Sequence, residues 1–375
     1  MTKREPGNPF LLSGYIDRRH FCDREQELSQ LHDHFRNERN VVLYSWRRIG
    51  KTALIQCFFD ELSRKRGHEL IYVDLLATRS ASDAIRAITQ AVYQYFGRTE
   101  RGFTATLQQL LGQVGAEIHF NAYTGQPYLT FRWQAPRLPE QTLEQIGAFL
   151  AGHKKPVIIG IDEFQHVSSY SDSNGEALFR AWTQQYPELR FLFSGSHRGM
   201  MESMFTQKSR PFYRSAQQIR LEPIPLEAYA AFIRKHFKKH EKEIGFHHVE
   251  EIYRQCRGQT YAIQLVCNKL FAGCDNVTEA GIIRVFDEII TQEKQVFSGY
   301  GKLLTDRQWQ ALVAIAKGEP VTNPLSKEFV QGQGLGATST LAASLKALQE
   351  KELIIQDYDG YYVHDVLLSR WLKDL

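Results

Sequence analysis

The sequence predicts an α/β fold, a parallel sheet with flanking helices, followed by an all-α segment and a terminal module of helices and one β-hairpin. Three observations carry this. A four-residue apolar run, 41–44, leads through Ser45-Trp-Arg-Arg-Ile-Gly50-Lys51-Thr52 into a helical pattern over 53–62. A second apolar run, 157–161, ends in Asp162-Glu163. Residues 303–375 read helix, helix, helix, hairpin. Short apolar runs alternating with helical periods are the pattern of parallel strands joined by crossover helices.

The elements follow in order. A polar arm occupies 1–20. From Phe21-Cys-Asp-Arg24-Glu25-Gln-Glu27-Leu28 an amphipathic helix opens, with Leu28, Leu31 and Phe35 on one face. After the strand at 41–44 and its loop, a strand over 69–75 carries Asp74 and precedes a helix at 82–96. A short helix at 105–115 leads into an alternating stretch, 116–133, in which Thr124-Gly125 separates Ile118 and Phe120 from Tyr128-Leu129-Thr130-Phe131. Period two around a turn pair predicts a β-hairpin inserted in the core. A helix spans 138–151, the strand ending in Asp162 follows, and a strand over 189–193 ends in Ser194-Gly195-Ser196-His197. A loop rich in Met and Arg comes next, with Arg198, Met200, Met201, Met204, Arg210 and Arg214, and then a strand from Ile219. Residues 225–300 are helical, with Tyr229, Phe232 and Phe237 as the first apolar group and Arg257-Gly258 between two helices. In 301–375, helices at 306–315, 326–331 and 338–350 precede a hairpin around Asp357-Tyr-Asp-Gly360 and a last helix at 366–372. Thr338-Ser339-Thr340 can cap the third helix. This is the order of a winged helix-turn-helix domain.

The loop at 45–52 has the chemistry of a phosphate cradle. In the pattern GxxxxGK[ST], between a strand and a helix, backbone N–H groups converge on one anion. Arg47, Arg48, Ile49, Gly50, Lys51, Thr52 and Ala53 supply those groups here. Lys51 would reach the β- and γ-phosphates, and the Thr52 hydroxyl would ligate Mg²⁺. Ser45 replaces the first glycine, and its Cβ would cost energy at a positive φ, but with Gly50, Lys51 and Thr52 intact it reads as tolerated. An acidic turn after a buried strand is ordinary by itself. Paired with Gly-Lys-Thr, Asp162 reads as the second Mg²⁺ ligand and Glu163 as the group that polarises the attacking water. Ser196, or alternatively Ser194, would meet the γ-phosphate or its water. The fold class is therefore an α/β P-loop NTPase domain over 21–224, an all-α domain over 225–300 and a winged helix over 301–375.

Composition narrows the alternatives. A chain of 375 residues fits two or three domains. No apolar run approaches the ~20 residues needed to span a bilayer. MTKREPGNPF lacks the apolar core of a secretory signal, so a cytoplasmic protein with no membrane partner is expected. Cys22, Cys57, Cys256, Cys267 and Cys274 are scattered and form no CxxC pair, which predicts free thiols in a reducing compartment. A net charge of +4 is too small to argue for nucleic acid.

The chain resembles the archaeal-type ATPases of the STAND clade, within the AAA+-like P-loop NTPases, from Phe21 to Leu375. The resemblance rests on Phe21-Cys-Asp-Arg24-Glu25-x-Glu27-Leu28, Arg47 to Thr52, Ile161-Asp162-Glu163-Phe164-Gln165, Ser194-Gly195-Ser196, Arg257-Gly258-Gln-Thr-Tyr261 and Pro211-Phe-Tyr213-Arg214. Gly360-Tyr-Tyr-Val363-His-Asp365 and Trp371-Leu372 are similar to the family's winged-helix ending. It implies ATP or ADP with Mg²⁺ as cofactors, and a switch in which nucleotide biases the helical lid. Arg24 and Glu25 would lie where the base is met, and Gly258 and Tyr261 would lie in a nucleotide-sensing turn, although Thr260 stands where proline is usual. Arg214, with Arg210 and Arg198 behind it, would stabilise transition-state charge in a neighbouring subunit. Adenine over guanine follows from the same resemblance, and no Asn/Thr-Lys-x-Asp motif argues otherwise.

A protein partner or self-association is expected, with DNA as the alternative. The third winged-helix segment offers Lys346 and Lys351 to phosphate but no arginine for guanine, and Asp357 and Asp359 in the wing would repel phosphate. The basic run Arg234-Lys235-His-Phe-Lys238-Lys239-His240 reads as a solvated helix face. A nucleotide-locked scaffold with little turnover is the rival to an ATP-hydrolysing switch.

Overall fold

The computed structural model describes residues 6–97, 105–120, 127–131, 139–357 and 359–375. The chain divides into two units: Arg24–Glu222, and residues up to Asp23 together with Pro223–Leu375.

The Arg24–Glu222 unit opens with α1 (Glu25–Arg36), whose apolar stripe Leu28, Leu31 and Phe35 is buried. Burial of such side chains contributes roughly 1.5–3 kcal/mol each. Along the chain then come β1 (Val41–Tyr44), α2 (Lys51–Arg64), β2 (Glu69–Asp74), α3 (Ala81–Phe96), α4 (Ala105–Gln113), β3 (Ala116–Phe120), β4 (Pro127–Phe131), α5 (Pro139–Ala151), β5 (Val157–Asp162), α6 (Gly175–Gln185), β6 (Arg190–Gly195), α7 (Arg198–Thr206) and β7 (Gln217–Arg220). Five strands form one parallel sheet in the order β2-β5-β6-β1-β7. Every residue of β1 and β5 is buried, as expected for parallel strands covered on both faces. The register sets Tyr44 beside Gly195 and Asp74 beside Asp162, so the ends of four strands share the edge where open parallel sheets bind ligands.

β3 and β4 pair separately as an antiparallel hairpin, Ile118 opposite Leu129, with Leu129 packed into the core of the unit. The predicted turn Thr124-Gly125 and the hairpin's last residues, 132–133, lie outside the described residues. The Met- and Arg-rich stretch, expected as a loop, contains α7. Its Met201, Met204 and Phe205 are buried, three and four residues apart on one helix face. Nδ1 of His197 caps it by accepting the Met200 N–H. A 3₁₀ helix over Phe164–Ser169 and α6 occupy a stretch for which the sequence pattern predicts no element.

The other unit contains α8 (Leu226–Lys239), α9 (Phe246–Gln255), α10 (Thr260–Gly273), α11 (Glu279–Leu303), α12 (Asp306–Gly318), α13 (Lys327–Gly332), α14 (Thr338–Glu350), β8 (Ile354–Asp357), β9 (Gly360–Val363) and α15 (Val366–Lys373). One apolar core runs through them, from Ile263 and Val266 to Ile289, Leu312 and Leu368. The N-terminal residues belong to it. Phe10, expected in a polar arm, is 1% exposed, with its ring 5.5 Å from Phe237 and 5.7 Å from Phe271. His236 departs from the predicted solvated face: it is buried, and its ring stacks 5.6 Å from that of His20. The predicted cap of α14 is not used, because Thr338 is already helical and Ala337 stands at the N-cap without a side-chain hydrogen bond. Among the described residues all five cysteines are free, and no helix is long and apolar enough to cross a membrane.

Candidate functional site

The loop between β1 and α2 accommodates Ser45 without strain. Ser45 has no positive φ. The left-handed positions are Arg48, at φ 69°, and Gly50, at φ 100°, which forms the N-cap of α2. The penalty of a Cβ thus falls on Arg48 rather than on the residue replacing glycine. The Ser45 hydroxyl donates to the Trp46 carbonyl at 2.8 Å and accepts from Lys51 Nζ at 3.2 Å. Lys51 is 6% exposed, and its ammonium also reaches the carbonyls of Trp46 at 3.3 Å and Ser45 at 3.5 Å. Ile49 is buried and anchors the loop, whereas Arg47 and Arg48 are exposed and Ala53 is half-buried in the first turn of α2. Arg24 is 4% exposed. It donates to Glu27 at 2.8 Å and to the Ile49 carbonyl at 3.4 Å, which brings it to the loop.

Two strands away, the end of β5 presents its carboxylates to the same place. Asp162 Oδ2 accepts the Thr52 hydroxyl at 2.8 Å and the Tyr72 hydroxyl at 2.8 Å. Its Oδ1 accepts the Glu163 N–H at 3.0 Å. Burial pushes the Tyr72 phenol pKa up, and the Asp162 charge pushes it further, so Tyr72 remains a donor. Asp74, beside Asp162 in the sheet, is also raised, first by burial and then by the charges of Asp162 and Glu163, against a hydrogen bond from the Leu76 N–H. Glu163 is left-handed, at φ 53°. Its Oε2 accepts the Ser196 hydroxyl at 2.7 Å and the Gln165 amide. Arg47 Nε donates to Ser196 Oγ at 3.3 Å, which joins the phosphate loop to the end of β6. Ser194 is fully buried, and its hydroxyl has no hydrogen-bond partner among the described residues, so of the two serines it is Ser196 that engages Glu163. Lys51, Thr52, Asp162, Glu163 and Ser196 are thus brought together. Tyr72 and Gln165 join them without having been singled out by sequence.

The arginines differ. Arg210 is held bidentately by Glu176, Nε to Oε2 at 3.0 Å, and donates to Ser168 at 3.2 Å. The Arg198 guanidinium lies 5.3 Å from the ring centre of Trp46 in the loop. Arg214 is exposed, at φ 52°, with its guanidinium 5.3 Å from the Tyr213 ring centre.

Gly258 and Tyr261 belong to the other unit. Gly258 has φ +68°, and a Cβ there would come within 2.8 Å of Pro223 Cβ, so only glycine fits. Tyr261 lies in the first turn of α10. The flanking residues tie this turn to the winged helix. Arg257 donates to the Val363 carbonyl and to Glu319 at 3.4 Å, and Gln259 donates to the His364 carbonyl. The nearly buried Glu319 also accepts the Val363 N–H at 3.0 Å, the Ser369 hydroxyl and Lys373 at 2.9 Å.

Residues 21–266 match a family described as an ATPase domain predominantly from Archaea, and residues 295–374 match a probable winged helix domain. Among solved structures, the Walker-type ATPase PABY2304 of Pyrococcus abyssi is similar at 18% identity over 97% of this chain and 99% of that one, with a TM-score of 0.69. The ORC2 protein of Aeropyrum pernix, in ADPNP–ADP complexes, is similar at 14% identity over 98% and 95% of the two chains, with a TM-score of 0.62. The Aeropyrum pernix ORC1 protein in complex with DNA follows at 14% identity over 94% and 93%, with a TM-score of 0.52. At these identities the likeness is one of fold. No curated protein matches the chain.

Proposed function

The chain belongs to the family of ATPase domains found predominantly in Archaea, and on that premise we propose that it is a Mg²⁺-dependent ATPase working as a conformational switch. The observation that carries this reading is the convergence of Lys51, Thr52, Asp162 and Glu163 at one sheet edge. Thr52 and Asp162 offer two hard oxygens 2.8 Å apart, the kind of protein ligation Mg²⁺ takes alongside phosphate and water. Mg²⁺ held there would neutralise phosphate charge. Lys51 exchanges its loop acceptors for phosphate oxygens. Ser196 and Gln165 hold one oxygen of Glu163, which leaves Oε1 to orient the attacking water. Arg24, which donates to the Ile49 carbonyl of the loop, would meet the base, and the exposed Arg214 would act on a neighbouring chain. Turnover is slow or partner-stimulated.

As the sensing segment, the turn at Gly258 and Tyr261 would pass its state to the winged helix through Arg257, Gln259 and Glu319. The partner is a protein or a second copy, in the cytoplasm. DNA binding through the winged helix is the second reading, favoured by the exposed Lys346 on α14 and by the DNA complex of a protein with this fold. It predicts steeply salt-dependent affinity.

The test is steady-state ATP hydrolysis with Mg²⁺ across protein concentration, beside Lys51→Ala and Glu163→Gln. Loss of about 100-fold or more is expected in both, with Glu163→Gln still binding ATP. A rate rising more than proportionally with concentration supports a site shared between chains. Nucleotide held without turnover in the wild type would overturn the hydrolytic reading in favour of a scaffold.

A further inference from the structure

A cavity of about 860 Å³ opens at the N-terminal edge of the parallel sheet, the edge opposite Lys51 and Asp162. Its floor is apolar and deeply buried: Leu62 of α2, Leu150 of α5, Val157 and Ile158 of β5, and Leu189 just before β6. Its rim is basic: Arg36, Lys65, Lys154, Lys155 and Arg190 face Glu38 and Glu188. Arg190 is paired with Glu38 at 2.7 Å and Lys155 with Glu69 at 3.5 Å. Arg36, Lys65 and Lys154 make no ion pair among the described residues, and Glu188 is the one unpaired carboxylate of the lining.

We propose that this cavity binds a small anionic molecule with an apolar body, its acid group held by Arg36, Lys65 and Lys154. The size is that of small-molecule pockets, ~300–1,000 Å³. Helix dipoles attract a cation to each helix C-terminus, which accounts for Arg36 and Lys65 at the ends of α1 and α2. They do not account for Lys154, three residues beyond the end of α5, nor for an open cavity over aliphatic side chains. Cations without ion-pair partners around an apolar floor favour an anion that also brings hydrocarbon or aromatic surface.

The cavity is made from the far ends of elements that build the opposite edge. α2 begins with Lys51 and Thr52, β5 ends in Asp162, and β6 ends beside Ser196. The binding itself needs no nucleotide, so its test is independent of the ATPase reading.

The probe is 1-anilinonaphthalene-8-sulfonate, an aromatic sulfonate, titrated by fluorescence against the full chain with saturating MgADP present. One saturable site per chain is expected. Its affinity should fall about tenfold or more in Lys65→Glu/Lys154→Glu and with added salt, because screened rim charges attract the anion. Dodecanoate should displace it. Both lysines are exposed, and circular dichroism will report whether the variant is folded as the wild type is. Equal affinity in a folded charge-reversed variant, or binding that never saturates, would overturn the proposal. Should that variant not fold, Lys154→Gln alone must weaken binding, and an unchanged affinity there is equally fatal.

Discussion

Replacing Tyr72 with phenylalanine removes a single oxygen from the polar cluster around Asp162. Its hydroxyl and that of Thr52 both donate to Asp162 Oδ2, each at 2.8 Å, and Asp162 is 2% exposed. A hydrogen bond to a charged group contributes about 1.5–3 kcal/mol net. The lower half of that range applies, because Thr52 and the Glu163 N–H still satisfy the carboxylate. Phenylalanine also fits the same space. For a unit of about 200 residues, each kcal/mol moves Tm by about 2–4 °C, so Tyr72→Phe should melt about 3–9 °C lower. A second effect is separable. A carboxylate held by an outer hydrogen bond typically loses ~10–100-fold in metal affinity when that bond is cut. The Mg²⁺ concentration giving half-maximal nucleotide binding should therefore rise at least about tenfold. Tyr72→Phe and Thr52→Ala share one acceptor atom, so their effects on stability should not add. The assays are thermal melting by circular dichroism and titration of a fluorescent ATP analogue at several Mg²⁺ concentrations. A variant melting within about 1 °C of wild type and binding nucleotide at the same Mg²⁺ would show that the Tyr72 hydroxyl contributes nothing, and the reasoning would fail.

Gly195→Ala tests the packing behind Glu163. A Cβ there would overlap Met201 Cγ and sit 2.5 Å from Gln165 Oε1. Overpacking of about 1–3 kcal/mol is expected by urea denaturation, along with slower hydrolysis as Gln165 is pushed off Glu163. An unchanged midpoint and rate would refute it. Asp17→Asn tests the N-terminal segment. Burial pushes the Asp17 carboxyl up, but hydrogen bonds from Arg19 and His20, with the His20 charge, hold it down at about 2. A depressed folded pKa gives stability that is full above the unfolded value near 4 and lost as pH falls through about 2. Hydrogen exchange at the Arg19 and His20 amides should lose protection between pH 4 and 2 in the wild type. In Asp17→Asn, whose Oδ1 can still accept both N–H groups but does not titrate, protection should not change between pH 4 and 2, and pH-independent protection in the wild type would sink the assignment.

What the sequence makes legible is what depends on neighbours along the chain. The phosphate loop, the run into Asp162-Glu163 and the stripe of α1 are each set by residues within one or two turns, and each forms where the pattern predicts. The hairpin is legible for the same reason, since period two is a local signal. The residues sequence reading passes over are those whose role is assigned by a partner far away in the chain. Tyr72 looks like any aromatic residue in a strand until the pairing of β2 with β5 sets Asp74 beside Asp162, 88 positions on. Gln165 gains its role only where β6 delivers Ser196. Phe10 becomes a core residue because α8 and α10 bring Phe237 and Phe271 to it. Ser45 is a different case. The motif puts the question of strain at the glycine position, where the sequence reads Ser45 as tolerated, and the turn places its left-handed residues at 48 and 50 instead. A motif states which residue types a site accepts. It does not state how the backbone distributes its torsions, because the same anion-facing N–H groups can be presented by more than one set of φ values. Ser45 is then an addition to the site: its hydroxyl gives Lys51 an acceptor that glycine could not.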